Sequence, residues 1–258
     1  MQQRASISMY GKYTISLKIS CKRYARRNIV VTSFLVLTNF SINQSFNQPI
    51  YQKELMILAS QSPRRQQLLE EAGYTLTIMP ANIDETAKPH EDPRALVVRL
   101  ATQKARHCEE LLLATAADTP AHACPEPILA ADTVVWTQDA HILGKPHSKA
   151  EAAAMLRELS GTKHYVSSGV AIIADGVLHT LCETCTVYFY PLTESQIAQY
   201  VASTEPYDKA GAYGIQGHAR LFIEKIDGDF YTVMGLPIAR CVQLLSKLGY
   251  PAILKMHV

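Results

Sequence analysis

The run Ile-Leu-Ala-Ala-Asp-Thr-Val-Val-Trp at residues 128–136 admits few structures. It is too apolar for a surface strand. Its length and β-branched residues fit a central strand of an α/β sheet, buried on both faces. One carboxylate, Asp132, interrupts it. An unpaired carboxylate in that setting costs several kcal/mol. The chain must therefore bring Asp132 a cation: a lysine, an arginine or a metal ion. Thr133, on the opposite pleat direction, offers a hydroxyl.

Around this strand the punctuation is regular. Residues 55–59 and 76–79 read as strands, with a helix between them that starts at Ser62-Pro63 and stops at Gly73. Asp92-Pro93 opens a long helix to about residue 113. Residues 115–127 read as a loop. Ser148 and Glu151 form a capping box for a helix ending near 160–161. Residues 165–173 and 178–190 read as strands joined by Asp175-Gly176, a hairpin turn. Thr193 and Gln196 cap a helix to about 202. Residues 203–217 read as a glycine-bearing loop. A second hairpin is expected from 219–226 and 230–234 around Asp227-Gly228, and a last helix from Pro237 to Gly249. Strands and helices alternate, with hairpins inserted. The expected fold is an α/β sandwich with a mixed sheet.

Charge divides the chain. Residues 1–53 carry eight Lys/Arg and no acid, and the remainder carries a net charge of −6. An acidic body argues against a nucleic-acid-binding domain. The acid-free leader has one apolar run, residues 29–37, too short to span a bilayer. Its composition suits a transit or signal segment. The simpler expectation is an extension, disordered or weakly helical, ahead of a wrongly assigned start. The domain is then residues 56–258, with residues 1–55 outside it. Six scattered cysteines form one C-x-x-C, Cys182 and Cys185, in an apolar run. Buried thiols in a reducing cytoplasm are the expectation.

Arg64 and Arg65 fall in the first turn of the first helix, the wrong end for cations. From this stretch alone, a solvated helix start and a phosphate site explain the pair equally, since free N–H groups and guanidinium forks both suit anions. Lys104 lies on an apolar stripe with Leu100, Cys108 and Leu111. It either snorkels to solvent or reaches a partner. Glu85, in a polar loop, reads as a surface acid by itself and, taken with Asp132, as the second member of a magnesium-type carboxylate pair. Lys145 is held extended by the following proline. The glycines of the loop Asp208-Lys-Ala-Gly-Ala-Tyr-Gly-Ile-Gln-Gly217 either mark a tight turn or let backbone approach a ligand, and Gln216 can read a base edge, though an amide that flips does not alone separate uracil from cytosine. The set suits a nucleoside triphosphate with a metal. Neither G-x-x-x-x-G-K-[ST] nor G-x-S-x-G is present.

These segments, together with Leu58-Ala-Ser-Gln-Ser-Pro-Arg-Arg65, Ala130-Ala-Asp-Thr133, Gly144-Lys-Pro146 and Val233-Met-Gly-Leu-Pro237, resemble the Maf family of nucleoside triphosphate pyrophosphatases. The resemblance runs from about residue 56 to 248. It departs from the pattern at Cys185-Thr186-Val187, where the family usually places an acid between Thr and Val. It implies a fold similar to the inosine triphosphate pyrophosphatases, a homodimer and a divalent cation, Mg²⁺ or Mn²⁺. It implies hydrolysis of a triphosphate to monophosphate and pyrophosphate, with dTTP and UTP the substrates suggested by the Gln216 loop. Asp132 matches the proton acceptor. Arg64, Thr133 and Gln216 match positions tied to base choice. Ser60, Arg65, Glu85, Lys104 and Lys145 match polar positions lining the site. The competing expectations are a non-catalytic nucleotide sensor or division-control protein, and a pyrophosphatase preferring 7-methyl-GTP. No nucleic acid or membrane partner is expected.

Overall fold

The computed structural model describes residues 2–9, 13–20, 55–115 and 126–252. It falls into two units, Met1–Pro49 and Ile50–Val258. In the first, β1 (Gln2–Met9) and β2 (Tyr13–Ser20) pair antiparallel, with Ile7 opposite Ile15. Composition predicts disorder or weak helix here. The sequence nevertheless alternates, with Ala5, Ile7, Met9 and Ile15, Leu17, Ile19 at every second residue, and that is a strand period.

In the second unit the elements are β3 (Leu55–Leu58), α1 (Pro63–Glu71), β4 (Thr75–Ile78) and α2 (Pro93–Thr115). Then come β5 (Ile128–Trp136), β6 (Ile142–Leu143), α3 (Lys149–Leu159), β7 (Lys163–Ala174) and β8 (Val177–Phe189). The chain continues through α4 (Glu194–Val201), β9 (Ile223–Asp227), α5 (Phe230–Met234) and α6 (Ile238–Lys247). The sheet order is β4-β3-β5-β7-β8-β9, with β6 also on β5. The first three strands run parallel and the rest antiparallel. The expected mixed-sheet α/β sandwich is what forms.

The pleat of β5 sorts its side chains. Leu129 and Ala131 join Met56, Leu58, Val170 and Ile172 under α1 and α6. Ile128 and Ala130 face Ala101, Ala105 and Cys108 of α2 on the other side. Asp132 belongs to this second set, and Thr133 to the first. A third cluster packs α3 and α4 against Val135, Val166, Val187 and Phe189 at the far end of the sheet.

Gly169 of β7 stands opposite Asp132. A Cβ there would lie 2.5 Å from the carbonyl carbon of Val97 in α2. Backbone meets backbone, so nothing can give way. Gly169→Ala is expected to destabilise the fold by about 1–3 kcal/mol or more through overpacking, read as a lower midpoint in chemical denaturation. A wild-type midpoint would show that α2 can slide freely.

Two expectations need correction. Residues 230–234 form α5, not a strand. Asp229 caps it by accepting from the Thr232 N–H, and Gly235 ends it at φ 115°. Five residues are too few to show a period, so its caps are the legible signal. Only Ile223–Asp227 of the preceding segment is a strand, and it pairs with β8. Most of the 115–127 loop lies outside the described residues. No helix among the described residues is long and apolar enough to cross a membrane.

Candidate active site

Lys104 reaches a partner, as the apolar stripe of α2 requires. Its Nζ lies 2.6 Å from Asp132 Oδ1 and 2.6 Å from Glu85 Oε1. Lys104 and Asp132 are each 8% exposed. The expected company of Leu111 does not hold, since that residue is 43% exposed. Burial disfavours the charged Glu85 carboxylate. The hydrogen bond and charge of Lys104 and the charge of Lys145 outweigh it and hold the carboxyl below its usual range. Two carboxylates from separate elements thus converge on one cation, and the charge of Lys145 reaches Glu85.

The loop carrying Glu85 is anchored by residues that composition and motif do not single out. Arg99 of α2 grips Glu91 through two bonds of 2.6 and 2.7 Å and donates to the Thr86 carbonyl at 3.1 Å. The Arg99 hydrogen bonds depress the Glu91 pKa to about 2, against burial. A depressed carboxylate contributes stability above its unfolded value and loses it as pH falls through the folded one. Glu91→Gln is therefore expected to be less stable than wild type at pH 6, the gap closing between about pH 4.5 and pH 2. Paired urea titrations at those pH values check it. A gap that persists at pH 2 would remove the ion pair as its cause.

Arg64 and Arg65 part company. Arg64 projects to Asp208 on the glycine-bearing loop, at 3.7 Å. Arg65 turns inward. Its Nε donates to Gly235 O at 2.9 Å and its Nη1 to Ser60 Oγ at 3.1 Å and Ala131 O at 2.8 Å. Nη2 donates to Thr133 Oγ1 at 3.0 Å. Four of its five N–H groups are thereby used. Burial pushes the guanidinium pKa down, opposed by the charge of Asp132. The phosphate fork expected of Arg65 meets a side chain already bonded to β5, α5 and the β3–α1 turn. Thr133 is likewise engaged, since its hydroxyl bonds Ser168 Oγ at 2.8 Å. Ser62, the expected N-cap, makes no side-chain cap. Its own N–H instead donates to Ser60 Oγ at 3.2 Å.

The 208–217 loop is held against this site. Gly211 N–H donates to the Gly144 carbonyl at 3.0 Å, beside Lys145. Tyr213 is bonded through its hydroxyl to His164 Nε2 at 2.8 Å. His164 is fully buried, and burial takes its pKa down to about 3, so it is a neutral anchor. Gln216 is exposed beside a shallow groove lined by Ile215, Arg220, Ile223, Ile226 and Phe230. Phe230 opens α5, and Gly235, bonded to Arg65, closes it.

The structure therefore gathers Lys104, Asp132 and Glu85 directly. It places Ser60, Arg65 and Thr133 in one hydrogen-bonded frame around β5. Arg64, Lys145 and Gln216 sit on adjoining segments. Among the described residues no three His, Cys, Asp or Glu cluster as a metal site. Asp132 and Glu85 form a two-carboxylate set whose common partner is already a cation. That chemistry fits a divalent ion sharing its remaining positions with phosphate and water. Cys182 and Cys185 are free. Cys185 is buried, and burial raises its thiol to about 11.

An α/β sheet with a lysine–carboxylate centre and an arginine at a helix start brings together residue types whose chemistry suits a polyphosphate. Residues 55–248 match the family described as Maf-like protein, and the chain belongs to that family. It is similar to proteins named dTTP/UTP pyrophosphatase. One from Geobacillus sp. (strain WCH70) is 46% identical over 195 residues, spanning 76% of this chain and 98% of that protein. Its counterpart in Bacillus anthracis is 47% identical over 194 residues, spanning 75% and 95%. That of Neisseria meningitidis serogroup A is 43% identical over 195 residues, spanning 76% and 94%. Among solved structures, the Staphylococcus aureus Ham1 protein matches with a TM-score of 0.33 and 10% identity, over 52% of this chain and 71% of that one. The fold is thus defined by its own sheet order.

Proposed function

We propose that this chain hydrolyses dTTP and UTP to the monophosphate and pyrophosphate. The observation that carries the reading is the Lys104 ammonium held at 2.6 Å by both Asp132 and Glu85, inside a region that matches Maf proteins throughout.

The reaction is in-line attack of water on the α-phosphorus. A new O–P bond forms, the α–β bridging O–P bond breaks, and the water proton passes to the Asp132 carboxylate. Arg64, Lys104 and Lys145 balance charge on the departing pyrophosphate. Binding frees Arg64 from Asp208, a half-exposed pair at 3.7 Å that costs little to separate. Asp132 and Glu85 would hold a divalent cation, Mg²⁺ or Mn²⁺, which supplies Lewis-acid charge to the phosphates when bound. Ser60, Arg65 and Thr133 fix the strand that presents Asp132. Gln216 reads the base. A cytoplasmic homodimer is the expected setting, and sedimentation velocity checks the assembly.

Pyrophosphate release by the full chain with Mn²⁺ and UTP, dTTP, CTP or 7-methyl-GTP tests the reading. Release from UTP and dTTP is expected. Tight binding without release would make the protein a sensor, and preference for 7-methyl-GTP would move it to another subgroup.

A further inference from the structure

We propose that Glu205 and Lys209 are positioning residues for substrate selectivity, fixing the turn that presents Gln216. The proposal rests on the reading of Gln216 as the base reader.

Two glycines, Gly214 and Gly217, bracket Ile215-Gln216. Neither has positive φ, unlike Gly211 at 68°. Backbone conformation therefore does not require glycine at either place. Close approach does. A Cβ on Gly217 would lie 1.9 Å from Glu205 Oε1, and one on Gly214 would lie 2.6 Å from Lys209 Cε. The two side chains occupy the spaces where those Cβ atoms would stand.

Both are themselves held. Glu205 Oε1 accepts the Tyr200 hydroxyl at 2.9 Å, and Oε2 accepts the His218 N–H at 2.9 Å. A longer contact from the Ala219 N–H reaches Oε1 at 3.5 Å. Burial opposes the charged carboxylate, but these donors and Lys209 keep its pKa below the usual range. Lys209 Nζ donates to the Glu205 carbonyl at 2.7 Å and also pairs with Asp208. One carboxylate thus ties the start of the loop to the residues just after its end. The Gly217 N–H closes the turn onto the Gly214 carbonyl at 3.1 Å. Gln216 projects from a turn whose floor is Lys209 and whose exit is Glu205. The Gln216 amide can turn over to suit either uracil or cytosine, so what a fixed backbone sets is its reach, and with it the size of base whose edge it meets.

Glu205→Gln keeps the shape but turns one acceptor into an NH₂, which faces either the His218 N–H or the Ala219 N–H and the Tyr200 hydroxyl. The expected result is a fall of about tenfold or more in the UTP-over-GTP ratio of kcat/KM. The change should fall in KM for UTP rather than kcat, with faster hydrogen exchange at the His218 and Ala219 amides. Combining Glu205→Gln with Gln216→Ala should cost no more selectivity than Gln216→Ala alone. Lys209→Met, which keeps the aliphatic stem under Gly214, gives the same direction of change if Glu205→Gln fails to fold. Folded variants that hydrolyse UTP with wild-type selectivity and wild-type exchange overturn the proposal. A wild-type chain that hydrolyses neither UTP nor dTTP overturns the functional reading instead.

Discussion

Asp132→Asn is expected to lower the turnover of UTP at least about 100-fold, the low end of a general-base contribution. The replacement is nearly isosteric. Asparagine still presents an oxygen to Lys104 Nζ, now 2.6 Å away, and Glu85 still holds the same ammonium. With Mn²⁺ raised to saturation to offset the weakened carboxylate pair, fold and nucleotide affinity should therefore change little, while an amide cannot take the proton of the attacking water. The measurement is steady-state pyrophosphate release, with thermal unfolding as the control for folding. A loss in kcat with KM nearly constant is the expected pattern. Near-wild-type turnover would remove Asp132 from the chemistry and leave it as the counter-ion of a buried lysine.

Arg65→Met should cost about 3 kcal/mol of stability, because it strips partners from several part-buried acceptors at once. The carbonyls of Ala131 and Gly235 and the hydroxyls of Ser60 and Thr133 all lose a charged donor. For a domain of this size that is a fall of roughly 6–12 °C in Tm. Arg65→Lys should not restore it, since one ammonium lacks the fork that reaches four acceptors. Arg64→Met, one residue away, should leave Tm within about 1–2 °C, because its pair with Asp208 is half-exposed and long. Its effect should be a raised KM. Equal Tm losses for the two variants would mean that Arg65 is no more than a second surface cation.

The legibility of these features follows from how local their causes are. Strand β5 and its carboxylate were readable because nine adjacent residues carry the whole pattern. The hairpin at Asp175-Gly176 was readable because both residues adopt positive φ, 50° and 75°, the demand of its turn. The capping box of Thr193 and Gln196 was readable for the same reason. The pairing of Lys104 with Asp132 was partly readable. An apolar stripe demands that a lysine find something, but not which carboxylate. The divergence of Arg64 and Arg65 was not readable at all. They are chemically identical neighbours, and only the 100° step of the helix sends one outward and the other beneath β5. Glu205 was equally silent. Its role depends on two glycines that look like turn residues and are in fact spaces for side chains from earlier in the chain.

Gly169 joins the packing of the domain to its buried ion pair. The hydrogen it carries in place of a side chain lets α2 settle onto the sheet beside Asp132, its cross-strand neighbour. The same descent brings Lys104, two turns further along α2, within reach of that carboxylate. A methyl group at position 169 would act as a shim, lifting helix and ammonium together. Substitutions here are expected to shift stability and the Lys104–Asp132 contact together, because one gap sets both.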